Sequence, residues 1–344
     1  MINSILSSLD PKHPLMATIK QFQLMIKDNK VFNNIGLATI AEKLILEKPS
    51  VDFDSYLQGV SEIMFYIYFA QTGINFKHDV KLKTRELDSN NKRKNVDLQA
   101  VHNGYVYNIE IKTPEQEVYN TEAIYGKHAY RSVMSKEDAD QSLNELTSLI
   151  AEGINNLGQV TDVIKLKMND NKLKDYLSSA QIKFSIIVNT NELNILCLCV
   201  PIDKLTEYWR YMFNGYSGLL TQYSFNKEFE IFDNIDAVVL SSSPTLHIMP
   251  LTGYNSWDMN NVANVIFLNP IGKKYSYLTS SEAVPIMKTA FDLIPNITKE
   301  WDKEYMFYEK HKSDDNALPI PNFEKALQEN FPDIWRNLYN TKSE

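Results

Sequence analysis

Asp97, Glu110 and Lys112 are two carboxylates and an ammonium that a tight hairpin would bring together. Side chains of these types could hold a hard cation and polarise a water beside it. The hairpin is written in residues 95–114, NVDLQAVHNGYVYNIEIKTP. Asn103-Gly104 separates two runs rich in β-branched and aromatic residues, the strongest short-range hairpin signal. A two-residue turn pairs His102 with Tyr105, and counting outward sets Gln99 against Asn108 and Asp97 against Glu110. With a period of two, Asp97, Gln99, Asn108, Glu110 and Lys112 share one face. Leu98, Ala100, Tyr107, Ile109 and Ile111 share the other, which reads as a core face.

Acids directly opposite each other repel, with Cβ atoms only about 4.5–5.5 Å apart. A divalent cation would offset that repulsion, since Mg²⁺ binds carboxylate oxygens and keeps several waters. Lys112, two residues beyond Glu110 on the same face, could orient or activate one of those waters. The set suits metal-assisted hydrolysis of a phosphodiester, where charge develops on phosphoryl oxygens. The plainer reading is a solvated hairpin face carrying a Glu–Lys pair.

In these residues the chain resembles the PD-(D/E)XK nuclease superfamily, the restriction-endonuclease-like fold. That family's motif is an acid at the start of one strand and Glu-X-Lys in the next antiparallel strand, here Asp97 and Glu110-Ile111-Lys112. Its usual proline before the first acid is absent, because Asn95-Val96 precede Asp97. The resemblance implies that Asp97, Glu110 and the backbone carbonyl of Ile111 hold Mg²⁺, with Mn²⁺ able to substitute. It implies that Lys112 orients and helps to deprotonate the attacking water. A glutamate on the helix before the first core strand is a frequent addition, and Glu62 is well placed to hold a second ion or its water shell. For Glu62 the plainer reading is a solvent-facing helix residue, yet the surrounding IMFYIYFA leaves little polar face.

These residues need elements to position them. Residues 55–72 read as a largely apolar helix closed by Gly73, and residues 74–83 as a first strand. After Lys112 a polar excursion leads to a capping box at Ser135–Asp138 and a helix with Leu143, Leu146, Ile150, Ile154 and Leu157 as its stripe. IKFSIIVNT, largely apolar over Ile182–Val188, and LNILCLCV read as strands, DKLTEYWRYMF as a helix, and IDAVVLSSS and ANVIFLNP as later strands. This order gives an α/β fold: a central mixed sheet with a core antiparallel hairpin, flanked by helices. The expected organisation is a helical segment over 1–50, a nuclease-like domain over 51–270 and a helical extension over 271–344. The outer parts would shape a cleft or a homodimer contact.

Bulk properties set the limits. The chain has 344 residues, 44% apolar and 23% charged, with a net charge of −8. That balance argues against a general nucleic-acid coat but leaves room for local basic clusters. Lys92-Arg93-Lys94, shortly before Asp97, is such a cluster and would contact phosphates, although most charge runs are only solvated. Gln141 and Glu145, one turn apart, read more simply as a helical pair. Glycine is scarce and no phosphate-loop pattern is present. The six histidines lack zinc spacing. Cys197 and Cys199 read as small buried hydrophobes in a reducing cytoplasm. No apolar run is long enough for a bilayer, and the first residues do not resemble a secretory signal.

The reading that follows is a cytoplasmic, Mg²⁺-dependent endonuclease acting on DNA, of the restriction or phage-defence kind by family analogy. Two others stay open: a nucleic-acid-binding or structural protein with catalysis lost, and a hydrolase of RNA or nucleotides.

Overall fold

The computed structural model describes residues 53–82, 95–114, 127–130, 148, 152, 164–167, 169–184, 189–213, 218–222, 224, 231–291 and 328–341. Helix α1 (Phe53–Thr72) is apolar on nearly every side and is buried on nearly every side, from Tyr56 through Phe69. Asp54 in its first turn complements the helix dipole. Gly73, at φ +72°, turns the chain out of the helix in a conformation that costs glycine nothing. Strand β1 (Asn75–Lys81) follows at once.

The hairpin is formed by β2 (Asn95–His102) and β3 (Tyr105–Lys112). Asn103 and Gly104 have φ of +48° and +83°, the positive pair that a two-residue turn matched to strand twist requires. His102 pairs with Tyr105 and Gln99 with Asn108, the register expected from the sequence. Next come β4 (Lys127–Tyr130) and β5 (Ile164–Lys167), which pair in parallel as a small separate sheet. Helix α2 (Asn169–Lys183) leads to β6 (Glu192–Cys199), then α3 (Leu205–Phe213) and β7 (Ala237–Ser241). The short α4 (Thr245–Ile248), β8 (Asn264–Leu268), α5 (Tyr275–Ser280), α6 (Ala283–Phe291) and α7 (Pro332–Thr341) complete the described elements.

The main sheet has the order β1-β2-β3-β6-β7-β8. Its centre, β3-β6-β7, is parallel, and antiparallel strands flank it on both sides. Central parallel strands are covered on both faces, which explains why ILCLC and AVVL are apolar without a break. In β6, Ile195, Cys197 and Cys199 join one core with α1 and α6. Leu196 and Leu198 join the other with Leu177 of α2, Trp209 of α3 and Trp335 of α7. The structure is therefore α/β with a six-stranded mixed sheet flanked by helices.

One element boundary differs from that expected from the sequence. Residues 182 and 183 end helix α2 instead of opening a strand, and residues 185–188 lie outside the described residues. The apolar run there is short, and short apolar runs do not distinguish a helix end from a strand. Beyond the boundary expected at 270, Leu278, Ala283, Met287, Ala290 and Phe291 are buried in the same core as α1. That part of the expected extension packs with the central sheet. Residues 1–52, the helix expected over 135–158 apart from helical Ser148 and Glu152, and residues 292–327 lie outside the described residues.

Candidate active site

The site begins where β2 and β3 part. Their ladder ends at Leu98↔Ile109. A regular antiparallel ladder would next join Val96 with Ile111. Instead the amide of Ile111 donates to Oδ2 of Asp97 at 2.7 Å. β2 stays paired with β1 past this point, through Val80↔Val96 and Lys81↔Asn95. Leu98 packs with the α1 core, whereas Val96 packs with the opposite core alongside Leu82. Residues two apart in a regular strand share a face, so the strand turns over at Asp97. Its neighbour across β1 is Asp79, which has a φ of +49°. The irregularity in both strands re-aims Asp97 out of the alternating pattern, as bulges near active sites do.

Glu110 sits one residue past the end of the β2-β3 ladder, opposite Leu196 of β6 and under α2. Its side chain is 0% exposed. Oε1 lies 2.7 Å from Nζ of Lys112 and 2.5 Å from Nζ of Lys183. Oε2 is buried and has no hydrogen-bond partner among the described residues. A buried carboxylate oxygen left unsatisfied is costly. This polar face of the hairpin is thus closed by α2 and carries a charged cluster.

Lys183 is a member of the site that the sequence pattern hides, because residues 182–188 have the composition of a strand. The signal that points to it is a lysine in the last turn of a helix, where the dipole favours a cation. Both ammoniums are mostly buried, Lys112 at 18% and Lys183 at 15% side-chain exposure.

Glu62 projects from the middle of α1 and is 5% exposed. The hydroxyl of Tyr66 donates to its Oε2 at 3.4 Å. Burial and then the Glu62 carboxylate push the Tyr66 phenol well up. Asp97 is pushed up to about 7, first by burial and then by the charges of Glu110 and Glu62. Lys183 and the Ile111 amide oppose that rise. Burial works against the ammonium of Lys112, but Glu110, Asp97 and Glu62 outweigh it and hold its pKa above the ordinary value. Lys112 is therefore held as a hydrogen-bond donor. The carboxylates of Glu62, Asp97 and Glu110 all act on Lys112, so one electrostatic cluster joins α1, β2 and β3 to the end of α2.

A layer of hydroxyls lies behind this cluster. Thr113, next to Lys112, donates to Oγ of Ser61, next to Glu62, at 3.0 Å. Ser243 donates to the same Ser61 oxygen at 3.3 Å. Cys199, at the end of β6, is fully buried among Ser61, Ser241 and Ser243, and burial raises its thiol to about 11. Cys197 is pushed well up, also by burial. Both cysteines are free and buried.

Elsewhere along the same strands, Gln99 donates to Asn108 at 2.8 Å, and Asn108 donates to Asn194 at 3.0 Å. These amides form a satisfied polar ladder with no acid pair. Lys92, Arg93, Lys94, Gln141 and Glu145 lie outside the described residues. Among the described residues no three His, Cys, Asp or Glu side chains form a metal-holding group, and no helix is long and apolar enough to cross a membrane. Compared with known proteins, the chain matches no family model, and no curated protein or solved structure is significantly similar to it.

Proposed function

We propose that the chain is a metal-dependent nuclease with a restriction-endonuclease-like core, and that its substrate is DNA. The observation that carries this reading is the buried, unsatisfied Oε2 of Glu110 beside a second carboxylate, Asp97, and an ammonium, Lys112. The order α1, β1, hairpin β2-β3 and then, after the small β4-β5 sheet, α2 and β6 supports the same reading, since helix, strand, hairpin, helix, strand is the order expected of that fold. Asp97, Glu110 and the carbonyl of Ile111 would hold Mg²⁺, or Mn²⁺ in its place. Two carboxylates and a backbone carbonyl suit Mg²⁺, which keeps several waters. When bound, the ion supplies Lewis-acid stabilisation and an acidified water.

The protein residues do the rest. The Ile111 amide fixes the Asp97 carboxylate in place. Lys112 donates toward the attacking water and toward the charge that develops on the phosphoryl group. Glu62, held by Tyr66, would bind a second ion or order its water shell. Lys92, Arg93 and Lys94 would contact the DNA backbone.

The test is incubation of plasmid DNA, RNA and nucleoside triphosphates with Mg²⁺, Mn²⁺ or EDTA. The expected result is cleavage of DNA with either ion, none with EDTA, and none by Glu110→Gln. Absence of ion-dependent hydrolysis of every substrate would overturn the proposal, and hydrolysis of RNA or nucleotides alone would reassign the substrate. A second reading, a nucleic-acid-binding protein without catalysis, is favoured by one observation. Lys112 and Lys183 both pair with Glu110 and supply its counter-charge. Binding that is insensitive to EDTA, without cleavage, would establish it.

A further inference from the structure

Two ammoniums share one oxygen of one carboxylate in this site, and the other oxygen has none. Oε1 of Glu110 takes both Lys112 and Lys183, while Oε2 is buried and unsatisfied among the described residues. A single carboxylate requires only one counter-charge. Lys112 is tied to the site by its own strand, two residues from Glu110 and beside Thr113, which is hydrogen-bonded to Ser61. Lys183 is differently placed. It is the last residue of α2, its partner lies 73 positions away in sequence, and its side chain keeps 15% exposure. A lysine is a compact ammonium on a flexible stem, able to swing between partners.

We propose that Lys183 is a displaceable counter-cation: it occupies Glu110 in the metal-free protein and transfers to a substrate phosphate when a divalent cation takes that carboxylate. The inference rests on the nuclease reading above. The charge count supports it. Glu62, Asp97 and Glu110 face Lys112 and Lys183, three carboxylates against two ammoniums, so the two lysines leave about one negative charge over. A divalent ion added at Glu110 makes the site positive and repels the nearer ammoniums. Phosphates of a nucleic-acid strand are the anions whose charge and spacing suit an ammonium released there. Lys183 therefore competes with metal in the free protein and assists substrate in the loaded one.

The experiment compares wild type with Lys183→Met, which keeps the aliphatic stem and removes the charge, and with Lys183→Arg, which keeps the charge. Mn²⁺ binding without nucleic acid is read by calorimetry. Binding of a duplex oligonucleotide is read in Ca²⁺, across a salt series. Lys183→Met should bind Mn²⁺ roughly tenfold more tightly than wild type, the scale expected when an ammonium leaves a partly buried cation site. Its duplex affinity should fall, and its salt slope should drop by about 0.9, the value for one neutralised phosphate. Lys183→Arg should resemble wild type in both. Mn²⁺ binding by Lys183→Met equal to or weaker than wild type would overturn the proposal, because a merely structural lysine gives that result. Tighter Mn²⁺ binding with an unchanged duplex slope would overturn the transfer to phosphate. If wild type and variant both bind no Mn²⁺, the nuclease reading itself fails; binding by wild type without gain in the variant removes this inference alone.

Discussion

The amide of Ile111 donates to the side chain of Asp97, 2.7 Å away, in the position where a regular hairpin would have used the backbone of β2. The strand thus spends a side-chain carboxylate on holding its own partner open. That carboxylate is then fixed between the end of one strand and Glu110 in the next, and burial raises its pKa to about 7.

Asp97→Asn should test the cost of that arrangement. The amide oxygen can still accept from Ile111, and only the charge is lost. The folded pKa of Asp97 lies above its ordinary value of 3.8, so the folded protein binds the proton more tightly than the unfolded chain. Its contribution to stability is complete at low pH and is lost as pH rises from about 4 to about 7. Metal-free Asp97→Asn should therefore exceed wild type at pH 8 by on the order of a few kcal/mol, several degrees in Tm. The gap should close below about pH 4. Equal melting curves at pH 8 would show that Asp97 bears no uncompensated charge.

A divalent ion should remove that repulsion. Mn²⁺ at about one hundred times its Kd should stabilise wild type by about 2.7 kcal/mol through linkage alone. Glu110→Gln should abolish the gain. A melting temperature that does not move across millimolar Mn²⁺ would count against any cation at this site.

Glu110→Ala and Lys112→Ala should each lower the cleavage rate at least about 10²–10³-fold, the scale of losing one stabilising group at a developing charge. Glu62→Gln should lower it less, because Glu62 reaches the site from α1 and is already engaged by Tyr66. Single-turnover rates at saturating DNA make the comparison.

Thr113→Val removes the hydroxyl that joins the end of β3 to α1 through Ser61. Loss of a buried hydrogen bond should cost about 1–3 kcal/mol, measured by urea unfolding. The rate should fall as well, since this contact sets Glu62 relative to Lys112. A variant destabilised but fully active would show that the hydroxyl layer only supports the fold.

Changing Lys92, Arg93 and Lys94 together to alanine should weaken binding to every DNA sequence alike. The salt slope should fall by up to about 0.9 for each phosphate left without its cation, with cleavage at saturating DNA preserved. Unaltered affinity and slope would make them a solvated run only.

Much of the hairpin is legible in the sequence because its signals are local. Asn103-Gly104 determines the turn, the turn determines the register, and the period of two determines which residues share a face. The apolar run of α1 and its stop at Gly73 are equally plain, as are β6 and β7. Tertiary structure decided three things that local signals cannot carry. It laid α2 over the polar face, burying Glu110 completely and bringing Lys183 to it from 73 positions away. It parted β2 from β3 at Asp97, because β2 follows β1 while β3 follows β6. It also tied Glu62 to Lys112 through Ser61 and Thr113, residues 52 apart whose hydroxyls carry no pattern in sequence. Periodicity reports which face a residue occupies; what covers that face depends on how distant elements pack, and that packing decides the charge balance of the site.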